Sequence, residues 1–136
     1  MKLKKVLGLA VVFVAAMFMV AGCAKSSASI IDQNLPAIQK QMDSEMSAAS
    51  AEFKSVKVAR EGDSTVVMTF TMSDKLSALL KDDASKKAFT DSINGSVDSQ
   101  MQPALQKLKD AGIKNPQVKF VINLSDGSEV YTHITK

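Results

Sequence analysis

Residues 56–72, VKVAREGDSTVVMTFTM, contain two runs of alternating side chains on either side of a turn. A period of two is typical of a β-strand with one buried face. The turn is predicted at residues 60–63, which include a glycine and an aspartate. In the second run the large apolar residues are Val66, Met68, Phe70 and Met72. The stretch therefore predicts a β-hairpin whose outer face is rich in threonine.

A second hairpin is predicted near the C-terminus. Residues 118–124 again alternate, residues 125–127 (SDG) form a turn signal, and residues 129–135 form the fourth strand. A two-residue turn would pair Ile122 with Tyr131 and would bury Tyr131 and His133. A three-residue loop with a left-handed glycine would instead pair Ile122 with Val130. We favour the second register because it keeps the aliphatic side chains together and leaves His133 outside.

Helices are predicted before each hairpin. Apolar residues at spacings of three and four predict a helix over residues 35–52, with Asn34 as the N-cap. A short helix over residues 75–81 precedes a longer one, in which Pro103 predicts a bend near residues 100–102. Gly112 predicts the end of that helix in a left-handed conformation.

The order helix, hairpin, helix, hairpin predicts an α+β fold. We expect a four-stranded antiparallel sheet with the helices packed on one face. The other face would meet solvent or a partner, and its predicted residues are Thr65, Val67, Thr69, Thr71, Lys119, Val121, Tyr131 and His133. The two helix–hairpin halves show a faint sequence similarity. An ancient duplication explains it as well as two independent solutions for the passage from a helix into a strand.

The N-terminus predicts export and an anchor. Three lysines precede an apolar run from Val6 to Gly22, which ends in the sequence VAGC at residues 20–23. This pattern is typical of a secretion signal, and Cys23 at the cleavage point predicts lipidation. The alternative is an uncleaved anchor with a structural cysteine. The predicted division is a signal peptide (1–22), a lipidated cysteine with a flexible tether (23–29) and one α+β domain (30–136).

The charge after cleavage argues against nucleic-acid binding. Of the 17 basic residues three lie before Cys23, which leaves 14, equal to the 14 acidic residues. Binding to nucleic acid needs a clustered basic face, whereas lysine and acidic residues are interspersed here. We therefore expect no nucleic-acid partner, and the predicted partners are the bilayer, through Cys23, and an envelope protein or peptide.

Motifs for catalysis, cofactors or metals are absent from the sequence. His133 is the single histidine and Cys23 the single cysteine, so a zinc site of three or four such ligands is not indicated. The sequence lacks a G-x-S-x-G elbow and a glycine-rich phosphate loop. We predict no catalytic, cofactor-binding or metal-binding residues, and a protein that is not an enzyme.

Several features together resemble a family of small, uncharacterised lipoproteins of Gram-positive bacteria. They are the lipobox at residues 20–23, the short tether and a mature domain of 107 residues. More specific are residues 105–120, LQKLKDAGIKNPQVKF, and residues 125–131, SDGSEVY. These motifs are structural and that family has no assigned activity, so the resemblance transfers no functional residues.

The expected function is that of a membrane-anchored cell-envelope lipoprotein outside the cytoplasm, acting as a binding or adaptor module. An exposed sheet edge could also accept a peptide strand. One alternative is an envelope hydrolase using a serine and His133. The other is a small carrier of hydrophobic ligands, which needs a cavity between helices and sheet.

Overall fold

The computed structural model describes residues 26–46, 53–94 and 97–136, without the side chains of Glu45 and Gln100. The predicted signal peptide, Cys23 and residues 47–52 lie outside the described residues. The elements, in chain order, are α1 (Ser27–Met46), β1 (Phe53–Glu61), β2 (Thr65–Met72), α2 (Asp74–Ala78), α3 (Asp83–Asn94), α4 (Val97–Asp110), β3 (Gln117–Asn123) and β4 (Glu129–Thr135).

The sheet has the spatial order β1-β2-β3-β4 and is mixed. The two hairpins, β1–β2 and β3–β4, are antiparallel, but the central strands β2 and β3 run parallel. The predicted α+β class with four strands is confirmed, and the prediction of a fully antiparallel sheet is wrong. The reason lies in the connection from β2 to β3, because a helical crossover of this kind can return the chain to the end where β2 began.

The core lies between the helices and one face of the sheet. Each strand contributes one aromatic ring to a row under the helices: Phe53, Phe70, Phe120 and Tyr131. Neighbouring ring centroids are 5.7, 5.1 and 6.3 Å apart, within the range of favourable aromatic pairs. Since full burial of a phenylalanine side chain contributes about 1.5–3 kcal/mol, this row is a main source of stability.

Helix α1 begins eight residues before the predicted start. Ile30 and Ile31 are buried, so the apolar stripe of the helix starts directly after the segment predicted as a tether. These two side chains pack the first turns of the helix against the core. The predicted N-cap, Asn34, lies inside the helix and donates a hydrogen bond to the Ile30 carbonyl at 2.8 Å. Residues 27–29, predicted as part of the flexible tether, form the first turn.

The bend predicted near residues 100–102 is wrong. Helix α4 is continuous from Val97 to Asp110 and contains Pro103, because the buried side chains around the proline outweigh the loss of one backbone hydrogen bond. The predicted helix end is confirmed. Gly112 has φ +92°, and the Ile113 amide donates to the Leu108 carbonyl at 3.1 Å, which is the Schellman arrangement.

The β3–β4 turn has the predicted loop but not the favoured register. Gly127 has φ +91°, and the Leu124 amide donates to the Ser128 carbonyl at 2.8 Å across residues 125–127. However, Ile122 pairs with Tyr131, not with Val130. Since Asn123 pairs with Glu129, Val130 is the extra residue of a β-bulge. One extra residue moves every later side chain of β4 to the opposite face.

Candidate functional site

The sheet face opposite the helices carries six of the eight residues predicted to meet solvent or a partner. They all lie on the two central strands: Thr65, Val67, Thr69, Thr71, Lys119 and Val121. The parallel register places Thr69 beside Val121 and Val67 beside Lys119. The helices of the described ranges pack on the other side, against the buried core. We call this surface the open face.

Tyr131 and His133, the other two predicted residues, lie on the helix side of the sheet. The prediction that they belong to the open face is wrong, because the bulge at Val130 reverses the faces of β4. Thr132 and Ile134 take their places, beside Val121 and Lys119 respectively. Ile134 is 43% exposed, which makes it a large apolar side chain of this face that the sequence analysis missed.

The open face is chemically mixed. Its apolar side chains are the half-buried Val67, the buried Val121 and the exposed Ile134, and threonines lie between them. A charged rim lies at one side, where Lys119 Nζ is 3.3 Å from Glu61 Oε2.

A polar cluster lies on the helix side of β4. His133 Nε2 is 2.6 Å from Asp98 Oδ1, and the Thr135 hydroxyl donates to the same oxygen at 2.9 Å. The Tyr131 hydroxyl donates to Asn94 Oδ1 at 3.1 Å. These bonds join β4 to the end of α3 and the first turn of α4. Asp98 and Asn94 were missed because their register relative to β4 depends on the bulge.

The electrostatics of the cluster follow from those hydrogen bonds. The bond to His133, followed by the one from Thr135, lowers the pKa of the Asp98 carboxyl. Burial, assisted by the negative charge of Asp98, raises the pKa of the Tyr131 phenol. A hydrolytic dyad needs a nucleophile within hydrogen-bond reach of the imidazole. Among the described residues the hydrogen bond of His133 goes to a carboxylate, and this bond ties β4 to α4.

The outer edge of β1 is covered by side chains of α1. Gln39 Nε2 donates to the Val56 carbonyl and Gln39 Oε1 accepts from the Val58 amide, both at 2.9 Å. The amide thus satisfies the edge as a neighbouring peptide group would. Near the end of the strand, Arg60 binds Asp32 at 2.8 Å, and this hydrogen bond lowers the pKa of the Asp32 carboxyl.

Two open cavities lie at opposite ends of the sheet. One, of about 520 Å³, is next to the start of α1 and is lined by Ser26, Ser27, Ala28, Asp63, Ser64, Gly112, Lys114 and Asn115. The other, of about 430 Å³, lies at the β3–β4 turn beside α2. Neither cavity lies between the helix layer and the sheet, where the carrier alternative would place a hydrophobic ligand.

Among the helices at residues 26–46, 53–94 and 97–136, none combines the length and apolar character needed to cross a bilayer. The same ranges hold no group of three or more histidine, cysteine, aspartate or glutamate side chains placed to bind a metal ion.

Comparison with known proteins yields a match to a family of domains. Neither a curated protein nor a solved structure matches the chain. Residues 32–133, from the second turn of α1 to the cluster residue His133, match the family described as "Domain of unknown function (DUF4854)". The match spans β1 to β3, most of β4 and most of α1, so the chain belongs to this family of domains of unknown function.

Proposed function

We propose that the chain is a lipoprotein of the cell envelope, held outside the cytoplasm by an acylated Cys23 and acting there as a binding or adaptor module. The basic start, the apolar run and the sequence VAGC at residues 20–23 support the anchor. The resemblance to small lipoproteins of Gram-positive bacteria supports the same assignment. Two or more acyl chains on one cysteine give stable attachment to a bilayer.

The start of α1 sets how far the domain can stand from its anchor. The helix begins at Ser27, so only four Cα–Cα steps separate it from Cys23. A fully extended chain covers at most about 14 Å in four residues. The tether is therefore shorter than the sequence predicts, and the end of the sheet next to Ser26 would lie close to the membrane surface.

The open face is the observation that carries the binding role. It carries valine, isoleucine and threonine side chains, and its most exposed apolar residue is Ile134, at 43%. Exposed apolar area that is contiguous and rimmed by polar residues is typical of interaction sites. The partner class that fits is another envelope protein or peptide.

Two experiments test the parts of this proposal separately. Mass spectrometry of the protein from membranes should find acyl chains on Cys23 and no residues 1–22, and Cys23→Ser should abolish both changes. A photo-crosslinking amino acid at Thr69 should capture a specific partner in intact cells. The matched position Lys87, exposed on α3, should not. A bare thiol on an uncleaved chain would refute the anchor, and equal capture from both positions would refute the binding face.

A second candidate function is an envelope hydrolase. The 2.6 Å contact between His133 and Asp98 is the one observation in its favour, since an oriented imidazole is a common general base. Replacement of His133 by alanine separates the two candidates. A hydrolase would lose its activity on envelope substrates, whereas a binding module would keep its capture of partners from Thr69.

A further inference from the structure

The two edges of the sheet are treated differently. At β1, Gln39 binds the outward-facing backbone groups of Val56 and Val58. At β4, no hydrogen bond from the described residues reaches the outer backbone groups of the strand. An unpaired edge is a template for pairing with another strand. Among the described residues, the sheet therefore has one closed edge and one available edge.

Two hydrogen bonds identify which peptide groups line the available edge. The Gln117 amide donates to the Ser64 carbonyl on the β2 side, and the Leu124 amide donates to the Ser128 carbonyl on the β4 side. Alternation along β3 then directs its even-numbered residues toward β4. Their partners in β4, such as His133 opposite Phe120, point inward. It follows that the peptide groups of Thr132 and Ile134 point outward.

We propose that the available edge of β4 pairs with β4 of a second copy of this chain. The regular part of the strand after the bulge, residues 131–135, is centred on His133. In an antiparallel pair about that centre, Thr132 of each copy faces Ile134 of the other, and the two residues exchange both backbone hydrogen bonds. Two four-stranded sheets become one sheet of eight strands.

The side chains fit this pairing. Thr132 and Ile134 lie on the open face, and β-branched residues opposite each other are favourable cross-strand pairs. The pairing would also cover Ile134, the exposed apolar residue of the face. The strand carries no lysine or proline between Glu129 and Thr135, although these are the residues that commonly protect an edge from association.

The closed edge of β1 explains why the assembly stops at two copies. A sheet with two available edges can add copies without limit and form fibres. Since Gln39 occupies two backbone groups of the β1 edge, pairing of β4 with another β4 is favoured, and this pairing generates a closed twofold dimer. If β4 paired only with a peptide from a different protein, the cover of the β1 edge by Gln39 would not be needed to stop the addition of further copies.

The dimer adds an assembly to the proposed function, and the membrane geometry of the dimer rests on the lipid anchor proposed there. The twofold axis is perpendicular to the sheet, so the two Ser26 ends point in opposite directions along the strands. Two short lipid tethers reach the same bilayer only if the eight-stranded sheet lies along its surface. The dimer would then present a continuous face twice as wide as that of one copy.

The oligomeric state of the full chain in detergent tests the proposal. Sedimentation should show a dimer for the wild type. Ile134→Lys places a charge on the edge and should raise the dimer dissociation constant at least about tenfold. Thr132→Pro removes an outward amide without breaking the ladder to β3 and should act similarly. The control Ser55→Lys adds the same charge to an exposed position of β1 and should leave the dimer intact.

A distance measurement identifies the interface itself. In a Cys23→Ser background, which makes the result independent of lipid, a spin label is placed on Lys57→Cys in β1. Seven strand spacings of about 4.8 Å separate the two β1 strands, which gives about 34 Å between labels. A monomeric wild type, a dimer unaffected by Ile134→Lys, or a dimer lacking this distance would overturn the proposal. Partner capture from Thr69 by a monomeric protein would leave the proposed function standing while the dimer fails.

Discussion

Replacement of Gln39 by alanine tests the closed edge directly. The substitution removes two hydrogen bonds to the β1 edge, to the Val56 carbonyl and from the Val58 amide, and an exposed one to Asp43 Oδ1, each 2.9 Å long. A hydrogen bond contributes about 0.5–1.5 kcal/mol net. Because water can reach an exposed edge and replace part of the loss, we expect a destabilisation of about 1–2 kcal/mol. For a domain of this size that corresponds to roughly 5–10 °C in melting temperature.

Urea denaturation with a common slope, followed by thermal melting, measures this loss of stability. The control is Gln33→Ala, an exposed glutamine of the same helix, which should change stability by less than about 0.5 kcal/mol. The second readout is association. Once uncovered, the β1 edge can accept β4 of another copy, so light scattering should show higher aggregates. Equal stability of the two variants, with no rise in scattering, would refute the role given to Gln39.

Three further predictions concern the tie, the helix end and the core. The hydrogen bond from His133 lowers the pKa of the Asp98 carboxyl. The ionised Asp98 therefore stabilises the fold above the unfolded pKa of about 3.9, and this contribution is lost as the pH falls through the lower folded pKa. Asp98→Asn should therefore weaken the acid dependence of the urea midpoint, modestly because the carboxyl is 62% exposed. Gly112→Ala should destabilise the fold by about 1–2 kcal/mol, since alanine is strained at φ +92°; an unchanged melting temperature would contradict this. Phe70→Ala should cost about 3–5 kcal/mol by denaturation, because the ring is fully buried between two other aromatic rings; a cost below 1 kcal/mol would show that the row does not hold the core.

Local patterns predicted most of the elements and both glycine turns. The alternation in residues 66–72 and the left-handed Gly112 and Gly127 depend on nearest neighbours, which a sequence displays directly. The start of α1 was missed because Asn34 and Pro36 look like a helix start. The burial of Ile30 and Ile31 in the core places the helix start at Ser27. A short stretch of sequence does not show this burial.

The parallel pairing of β2 with β3 illustrates a different limit. Two hairpins joined by helices can associate through any of their edges, and the alternation within each strand is the same in every case. Parallel strands buried on both sides are usually apolar throughout, whereas β2 has threonines on its open face. The threonines therefore favour an antiparallel sheet, but the helical connection from α2 to α4 brings β3 back parallel to β2.

The bulge at Val130 connects the wrong prediction with the proposed interface. Without the extra residue, the loop at residues 125–127 would direct the peptide groups of Tyr131 and His133 outward and would place Ile134 under the helices. With it, Tyr131 and His133 reach Asn94 and Asp98, and Thr132 and Ile134 gain the outer edge. The aliphatic pattern alone favours the first arrangement. The hydrogen bonds to α3 and α4 select the second, so the tie on the helix side determines which residues are available at the edge of the sheet.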